Sequence, residues 1–420
     1  MATRPIRAWV SLAAALVLLA SCKSTLDSLG CKERGLDGGD AASLKLASLL
    51  PPASYPNVFG ELLGKSDSEI AAKVGDAFEQ LFHGDAGTEA IYFPTDDDEA
   101  YVFDVLHGQV RTEGMSLGML ITVALDKRDE FDRLWRYAKA TQVLDGPAQG
   151  YFPSFCGAVG SGTSCYDPYG LQQMAMALLL ARGRWQATPG TIDYGREAAM
   201  LLDLMRNKES YNCGVVEGVT GTFDAQAALP YDTPSSDSAG VSRPSVVMPA
   251  YYNLWYQATG MTTDGRDTPA RAYWQASADH TTGLIPEKAT FAGMAVPGAE
   301  NFNSECLRIL FNITLDRIWS GDRPWLVDES NRLLQFFYGK GLTTYGHLFT
   351  LDGTTVQSTR DRALIAANGT LALVASTEIR RDFAKEVWDM SPPVTGSSRY
   401  YPGIMQLFAL VIMSGQMRVY

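Results

Sequence analysis

From about residue 66 onward, apolar side chains recur at intervals of three and four along most of the chain, the spacing of helices with one face turned inward. Ser66 followed by Glu69 predicts a capped helix start, and Ile70, Val74, Phe78 and Leu81 continue it on one face. Further helical stretches are predicted near 113–126, 128–142, 170–184, 191–207, 244–258, 268–280, 304–319, 326–340, 362–377, 379–389 and 402–415. Longer Gly-, Pro- and Asp-rich segments at 84–110, 143–169, 208–243 and 281–303 read as loops. Few alternating runs of strand length appear, which disfavours a β-rich fold, and the lack of a fixed-period signature argues against a solenoid. About twelve helices joined in pairs, with no compositional break, suit one all-α domain closed into a ring of helical hairpins.

Ahead of the helices the pattern changes. Arg4 and Arg7 precede an apolar run from Ala8 to Ala20, which reads as a secretory signal too short to span a bilayer comfortably. The run ends in Leu19-Ala20-Ser21-Cys22, which resembles a bacterial lipobox, so Cys22 is the expected lipidation site. Lys23 after it points to the outer membrane. Residues 23–54 are small, polar and Gly-rich and end near Pro51-Pro52, as a tether does. The expected organisation is a lipoprotein signal at 1–22, a tether at 23–54 and a catalytic domain at 55–420, on a protein exported and held to the envelope by lipid.

Composition narrows the partners. The formal charge of −12, with no basic run, disfavours nucleic acid. Export permits disulfides, and Cys156 and Cys165 bracket a Gly/Ser-rich loop where a local bridge fits. No Cys/His spacing suggests a metal, the four histidines are spread along the chain, and no cofactor is expected.

Three segments place polar groups against otherwise apolar helices. In VRTEGMSLGMLITVAL (110–125), Glu113 opens a strongly apolar helix, with Gly114 and Gly118 allowing close approach by another chain or a ligand. A helix start favours its carboxylate, whereas burial favours the acid that protonates a leaving group. The plain alternative is a helix-start glutamate paired with Arg111. In NFNSECLRILFNITLDRIW (301–319), Glu305 opens a helix one turn before Arg308, its expected ion partner. In SCYDPYGLQQMAMALLLARGRW (164–185), Tyr166, Asp167 and Tyr169 precede or open the helix near Gly170.

At these residues the chain resembles glycoside hydrolase family 8. VRTEGMSLGM with LDKRDEFDRLWRYAK, then GYFPSF, FNSECLRILFNITLD, ALIAANGTLAL and RYYPGIMQLFALVIMSG follow the family's order from about Tyr55 to Met417. The likeness is greatest to the reducing-end xylose-releasing exo-oligoxylanase branch. It implies an (α/α)6 barrel and inverting hydrolysis of β-1,4-linked xylo-oligosaccharides or β-glucans, with one carboxylic acid and one opposed carboxylate flanking the bond. By the resemblance, Glu113 matches the general acid and Arg111 the arginine beside it, while Glu305 stands where the family has its aspartate base. Tyr169 and Leu171 fall on two acidic positions of the sugar-binding loop, with Asp167 two residues early as a substitute. Arg360 falls where the exo-acting branch has a histidine at the reducing end of its substrate.

Tyr151, Phe152, Tyr251, Tyr252, Tyr400 and Tyr401 are candidates for stacking on sugar rings, with Tyr251, Tyr252, Tyr400 and Tyr401 ranked first. The expected function is an exported hydrolase of β-1,4-linked oligo- or polysaccharides. The rival reading is a lipid-anchored glycan-binding protein on a catalytically impaired fold, suggested by Glu305 and Tyr169. A polysaccharide lyase would need a base and a charge-neutralising partner, and no such set is apparent.

Overall fold

The structure is a computed structural model that describes residues 45–142, 148, 150–154, 166–188, 190–208 and 218–420. The lipobox cysteine and its signal, and Cys31, Cys156, Cys165 and Cys213, lie outside the described residues. Among the described residues the chain forms α1 (Val58–Leu63), α2 (Asp67–His83), α3 (Thr112–Ala124), α4 (Arg128–Tyr137), α5 (Pro168–Arg184) and α6 (Tyr194–Arg206). There follow α7 (Pro249–Thr259), α8 (Asp267–Ser277), α9 (Arg308–Ser320), α10 (Pro324–Gly339), α11 (Arg362–Thr370), α12 (Arg380–Asp389) and α13 (Tyr400–Met413).

From α2 onward these helices alternate between two kinds. Every residue of α3 is buried, and α5, α9 and α13 are buried nearly all round. Their alternates bury one stripe, as α2 does with Ile70, Val74, Ala77, Phe78, Leu81 and Phe82. Helices buried on all sides must be enclosed by other helices. Accordingly α3, α5, α7, α9, α11 and α13 pack each against the next, and α13 returns to α3, closing an inner ring. Helices α2, α4, α6, α8, α10 and α12 alternate with them in the chain and make the outer layer. This is the (α/α)6 barrel.

The first helix has the expected start: Ser66 and Glu69 form a capping box. Elsewhere three expectations are corrected. The segment 84–110 is not a plain loop, because β1 (Tyr92–Pro94), β2 (Ala100–Asp104) and β3 (Gln109–Val110) form an antiparallel sheet leading into α3. The helix expected from 244 begins at Pro249, a residue suited to a first helical turn. The helix expected from 304 begins at Arg308, which leaves Glu305 on the preceding turn. Two further ribbons are small, β4 (Val241–Ser242) with β5 (Ala289–Thr290) and β6 (Leu348–Phe349) with β7 (Thr355–Gln357).

The inner helices run in one direction, so their starts meet at one mouth of the barrel and their ends at the other. At the second mouth Arg184, at the end of α5, bonds Asp126 just past α3, and Trp319 near the end of α9 donates to the Met417 carbonyl. Residues 45–56 are laid across this mouth as a strap, although the tether was expected to run to residue 54. The Ala47 N–H donates to the Ala258 carbonyl at 2.7 Å, and Arg182 donates to the Leu46 and Ala47 carbonyls. Tyr55 Oη accepts from the Val419 N–H at 2.8 Å.

Candidate active site

The candidate residues meet at the first mouth. Glu113 is the second residue of α3, and its side chain is only 10% exposed. Its Oε1 lies 2.7 Å from Nε of Arg308, the first residue of α9. Neither atom has an aligned hydrogen-bond partner, so this is a close ion contact rather than a directed bond. The pairing of Glu113 with Arg111 is not found. Arg111 Nε instead donates to Asp104 at 2.7 Å, because Arg111 precedes the helix and turns back toward the end of β2.

Arg308 also holds the second carboxylate. Its Nη1 donates to Glu305 Oε2 at 2.8 Å and its Nη2 to Oε1 at 3.4 Å. Protein surrounds Glu305 on most sides, yet 37% of its side chain is open to solvent, which places it in a recess. One guanidinium with a contact at either end sets the nearest oxygens of the two carboxyls at most about 8 Å apart. That bound admits the separation of roughly 6.5–9.5 Å that leaves room for an attacking water.

The shared arginine does not equalise the two groups. Burial raises Glu113 to about 7 against the pull of Arg308, with Glu305 and Asp167 adding to the rise. Arg308 and Arg243 together hold Glu305 below the ordinary carboxylate range despite its burial. Near neutrality the arrangement therefore keeps one carboxyl able to donate a proton and the other able to accept one.

Asp167 reaches the same cluster. It stands before α5 and accepts from the Tyr169 N–H at 2.9 Å, so the helix start fixes its carboxylate. Burial pushes it upward, opposed by the Gly170 N–H, Arg308 and Arg243. Tyr169 is buried, with the Arg308 guanidinium 4.9 Å from the centre of its ring. Tyr251 faces Tyr169 and Gln173 from α7, while Gln173 accepts from Ser116 of α3 at 2.7 Å. Tyr401 donates to the Ser304 carbonyl at 3.3 Å and lies in the field of Arg308, Glu113 and Glu305. Tyr400 is buried behind Glu113 with its hydroxyl against Gly114. The close approaches at Gly114 and Gly118 are made by Tyr400, Val102 and Leu134 of the protein itself.

Other sequence candidates serve the frame. Tyr252 is buried and donates to Gln172 at 2.7 Å. Tyr151 donates to the Thr220 carbonyl at 2.8 Å, and Phe152 is fully buried. Arg360 is not brought to the carboxylates; it bonds Glu386 and the Leu342 carbonyl and lies 4.8 Å from the centre of the Tyr345 ring. Sequence reasoning missed Arg243, Asp232 and Lys288, which extend the ion cluster beyond Glu305. Their only signal was charge at long intervals in segments lacking periodicity.

A barrel of paired helices with two carboxyls at one mouth is an arrangement that glycoside hydrolysis can use. A family model for Glycosyl hydrolases family 8 matches residues 106–415, and the chain belongs to that family. It is 31% identical over 382 residues to the reducing-end xylose-releasing exo-oligoxylanase Rex8A of Paenibacillus barcinonensis, covering 87% of this chain and 97% of that protein. It is 26% identical over 326 residues to Endoglucanase A of Acetivibrio thermocellus, covering 72% of this chain and 61% of the relative. Among solved structures, Rex8A complexed with xylose superposes with a TM-score of 0.79 at 30% identity, over 87% of this chain and 98% of that one. A family 8 xylobiose complex from Teredinibacter turnerae gives 0.78 at 31%, with the same coverage.

Proposed function

We propose that this hydrolase cleaves β-1,4-linked xylo-oligosaccharides, or the related β-glucans, with inversion. Glu113 gives its proton to the leaving glycosidic oxygen. Glu305 takes a proton from water as that water attacks the anomeric carbon. The observation that carries this reading is the pair of carboxyls on one arginine with their protonation pushed in opposite directions. Asp167 and Tyr401, both partly exposed, line the sugar site around them, with the buried Tyr169 and Tyr251 behind. The relatives named for xylose release and the solved xylobiose and xylose complexes favour xylan fragments, while the endoglucanase likeness keeps glucans in view.

The test is product release from xylohexaose and cellohexaose, with the anomeric form of the first product read by proton NMR. Release from xylohexaose that begins as the α-anomer, lost in Glu113→Gln, is the expected result. A β-anomer overturns inversion, and unaltered activity of Glu113→Gln overturns the acid. The close contact between Glu113 and Arg308 favours one second reading, a glycan-binding protein with impaired catalysis, because an ion-paired acid holds its proton less well. Tight xylohexaose binding with no release from either substrate would select it.

The same proposal includes export and anchoring to the outer membrane through lipid on Cys22, supported by the charged start, apolar run and lipobox-like residues. Metabolic labelling with a fatty acid tests this. Label carried by the wild type and absent from Cys22→Ser is the expected result, and label on both overturns it.

A further inference from the structure

A line of charges runs from Glu305 away from Glu113. Arg243 follows β4 and Lys288 precedes β5, and the pairing of Ser242 with Ala289 sets the two opposite each other. Both reach Asp232. Arg243 approaches Oδ1 with Nη2 at 2.6 Å and Nε at 2.7 Å, and Lys288 approaches Oδ2 at 2.7 Å. The backbone of Asp232 is fixed in turn, its N–H donating to the Val241 carbonyl at 3.1 Å. The Arg243 fork is thus held at two nitrogens, and the third, Nη1, donates to Glu305 Oε2 at 3.1 Å. Arg308 Nη1 donates to that same oxygen at 2.8 Å, whereas Oε1 has, among the described residues, only the 3.4 Å contact with Arg308 Nη2. Glu305 has one clamped oxygen and one nearly open one.

We infer that Arg243 is a positioning residue for hydrolysis, holding Oε2 of Glu305 so that Oε1 is presented as the proton acceptor. This rests on the reading of Glu305 as the base. A glutamate on a turn has one more rotatable bond than an aspartate, and each free rotor spreads the carboxylate over several positions. Two guanidiniums on one oxygen remove that spread, since Arg308 alone fixes the carboxylate from one side. In the balanced step, Oε1 takes one proton of the attacking water as its oxygen bonds the anomeric carbon. Glu113 gives its proton to the departing sugar, and exchange with solvent restores both groups. The groups facing Glu305 are Arg308 of its own segment, Arg243, Glu113 from α3, Tyr401 from α13 and the neighbouring Cys306. Removing Arg243 takes away one of the two cations, so Glu305 holds its proton to higher pH.

The experiment combines a pH–rate profile on xylohexaose with NMR titration of 13C-labelled glutamate side chains, Glu305 being identified by its loss in Glu305→Gln. Three proteins are compared: wild type, Arg243→Met and Arg243→Lys, with Arg243→Gln in reserve if the methionine variant does not fold. In Arg243→Met the Glu305 midpoint and the acid limb of kcat move up together. The value of kcat falls by about 100-fold, as for a reacting group displaced by about 1 Å, with KM little changed. Arg243→Lys returns the midpoint toward wild type and recovers only part of kcat, because the charge is kept and the fork is lost. A folded Arg243→Met with an unmoved Glu305 midpoint, or with kcat at or above wild type, overturns the assignment while leaving Glu305 as base. A wild type without activity overturns the base reading itself, and this assignment with it.

Discussion

Glu113 and Glu305 share Arg308, so any substitution at one is felt at the other through a common guanidinium. The rate kcat/KM reports the free enzyme, and it should be highest between the two carboxyl midpoints. Its alkaline limb is expected at about 7, where Glu113 loses its proton, and its acid limb below the ordinary carboxylate range, where Glu305 gains one. A profile on xylohexaose checks both limbs. Glu113→Gln is expected to lower kcat by about 100- to 10,000-fold on xylohexaose. The loss should be much smaller on an aryl xyloside, whose phenolate leaves with little acid assistance, and an equal loss on both substrates would deny Glu113 the acid role. At this scale the chain was partly legible. Glu113 stood out as a charge opening an apolar helix, but its contact with Arg308 did not, because Arg111 is near in sequence and Arg308 is near only in space. Arg243 and Asp232 left no trace in the pattern, since they stand in connecting segments with no period to detect.

At the scale of elements, one close approach and one buried acid lead to measurable effects. At Gly170 an added Cβ would stand 2.4 Å from Thr112 Cγ2 and 2.9 Å from Asp167 Oδ2. Alanine usually improves a helix by about 1 kcal/mol over glycine, but overpacking here costs about 1–3 kcal/mol and shifts α5 against α3. Gly170→Ala is expected to lower the denaturation midpoint and raise KM through the displaced Asp167. Glu329 on α10 has no exposed side-chain surface, and burial raises it to about 8 even with Arg332 beside it. The unfolded chain releases that proton near the ordinary value of 4.5. Its contribution is therefore fully present below about pH 4.5 and is lost as pH rises to about 8, at about 1.4 kcal/mol per pH unit. Glu329→Gln should flatten the fall in Tm between pH 5 and 8, as calorimetry would record. Outer helices such as α2 were legible because a single stripe keeps its period. The sheet at 84–110 was not, because β3 has two residues and β1 three. Helix starts moved where Pro249 and the turn at 304–307 delayed the first hydrogen bonds.

For the molecule as a whole, the ring was legible because about twelve helices follow one another in pairs with no compositional break, in the order of a family-long pattern. Its closure was expected too, but not the particular packing, since α13 meeting α3 joins residues about three hundred positions apart and depends on the whole set of packing angles. The strap at the second mouth is part of that closure. Tyr55 accepts from the Val419 N–H and also reaches the Val419 carbonyl, so Tyr55→Phe leaves a partly buried donor unsatisfied. A loss of about 1–3 kcal/mol in urea unfolding is expected, with kcat unchanged. The enzyme keeps its strap and its recess at opposite mouths. Its thirteen-residue inner helix α3 spans roughly 20 Å between the mouths. Residues 45–56 lie at the second mouth, and the recess opens at the first. A support coupled to the second mouth is therefore expected to leave the recess open to a long glycan. Attachment through Lys288, at the opposite mouth, would set the support against the incoming substrate.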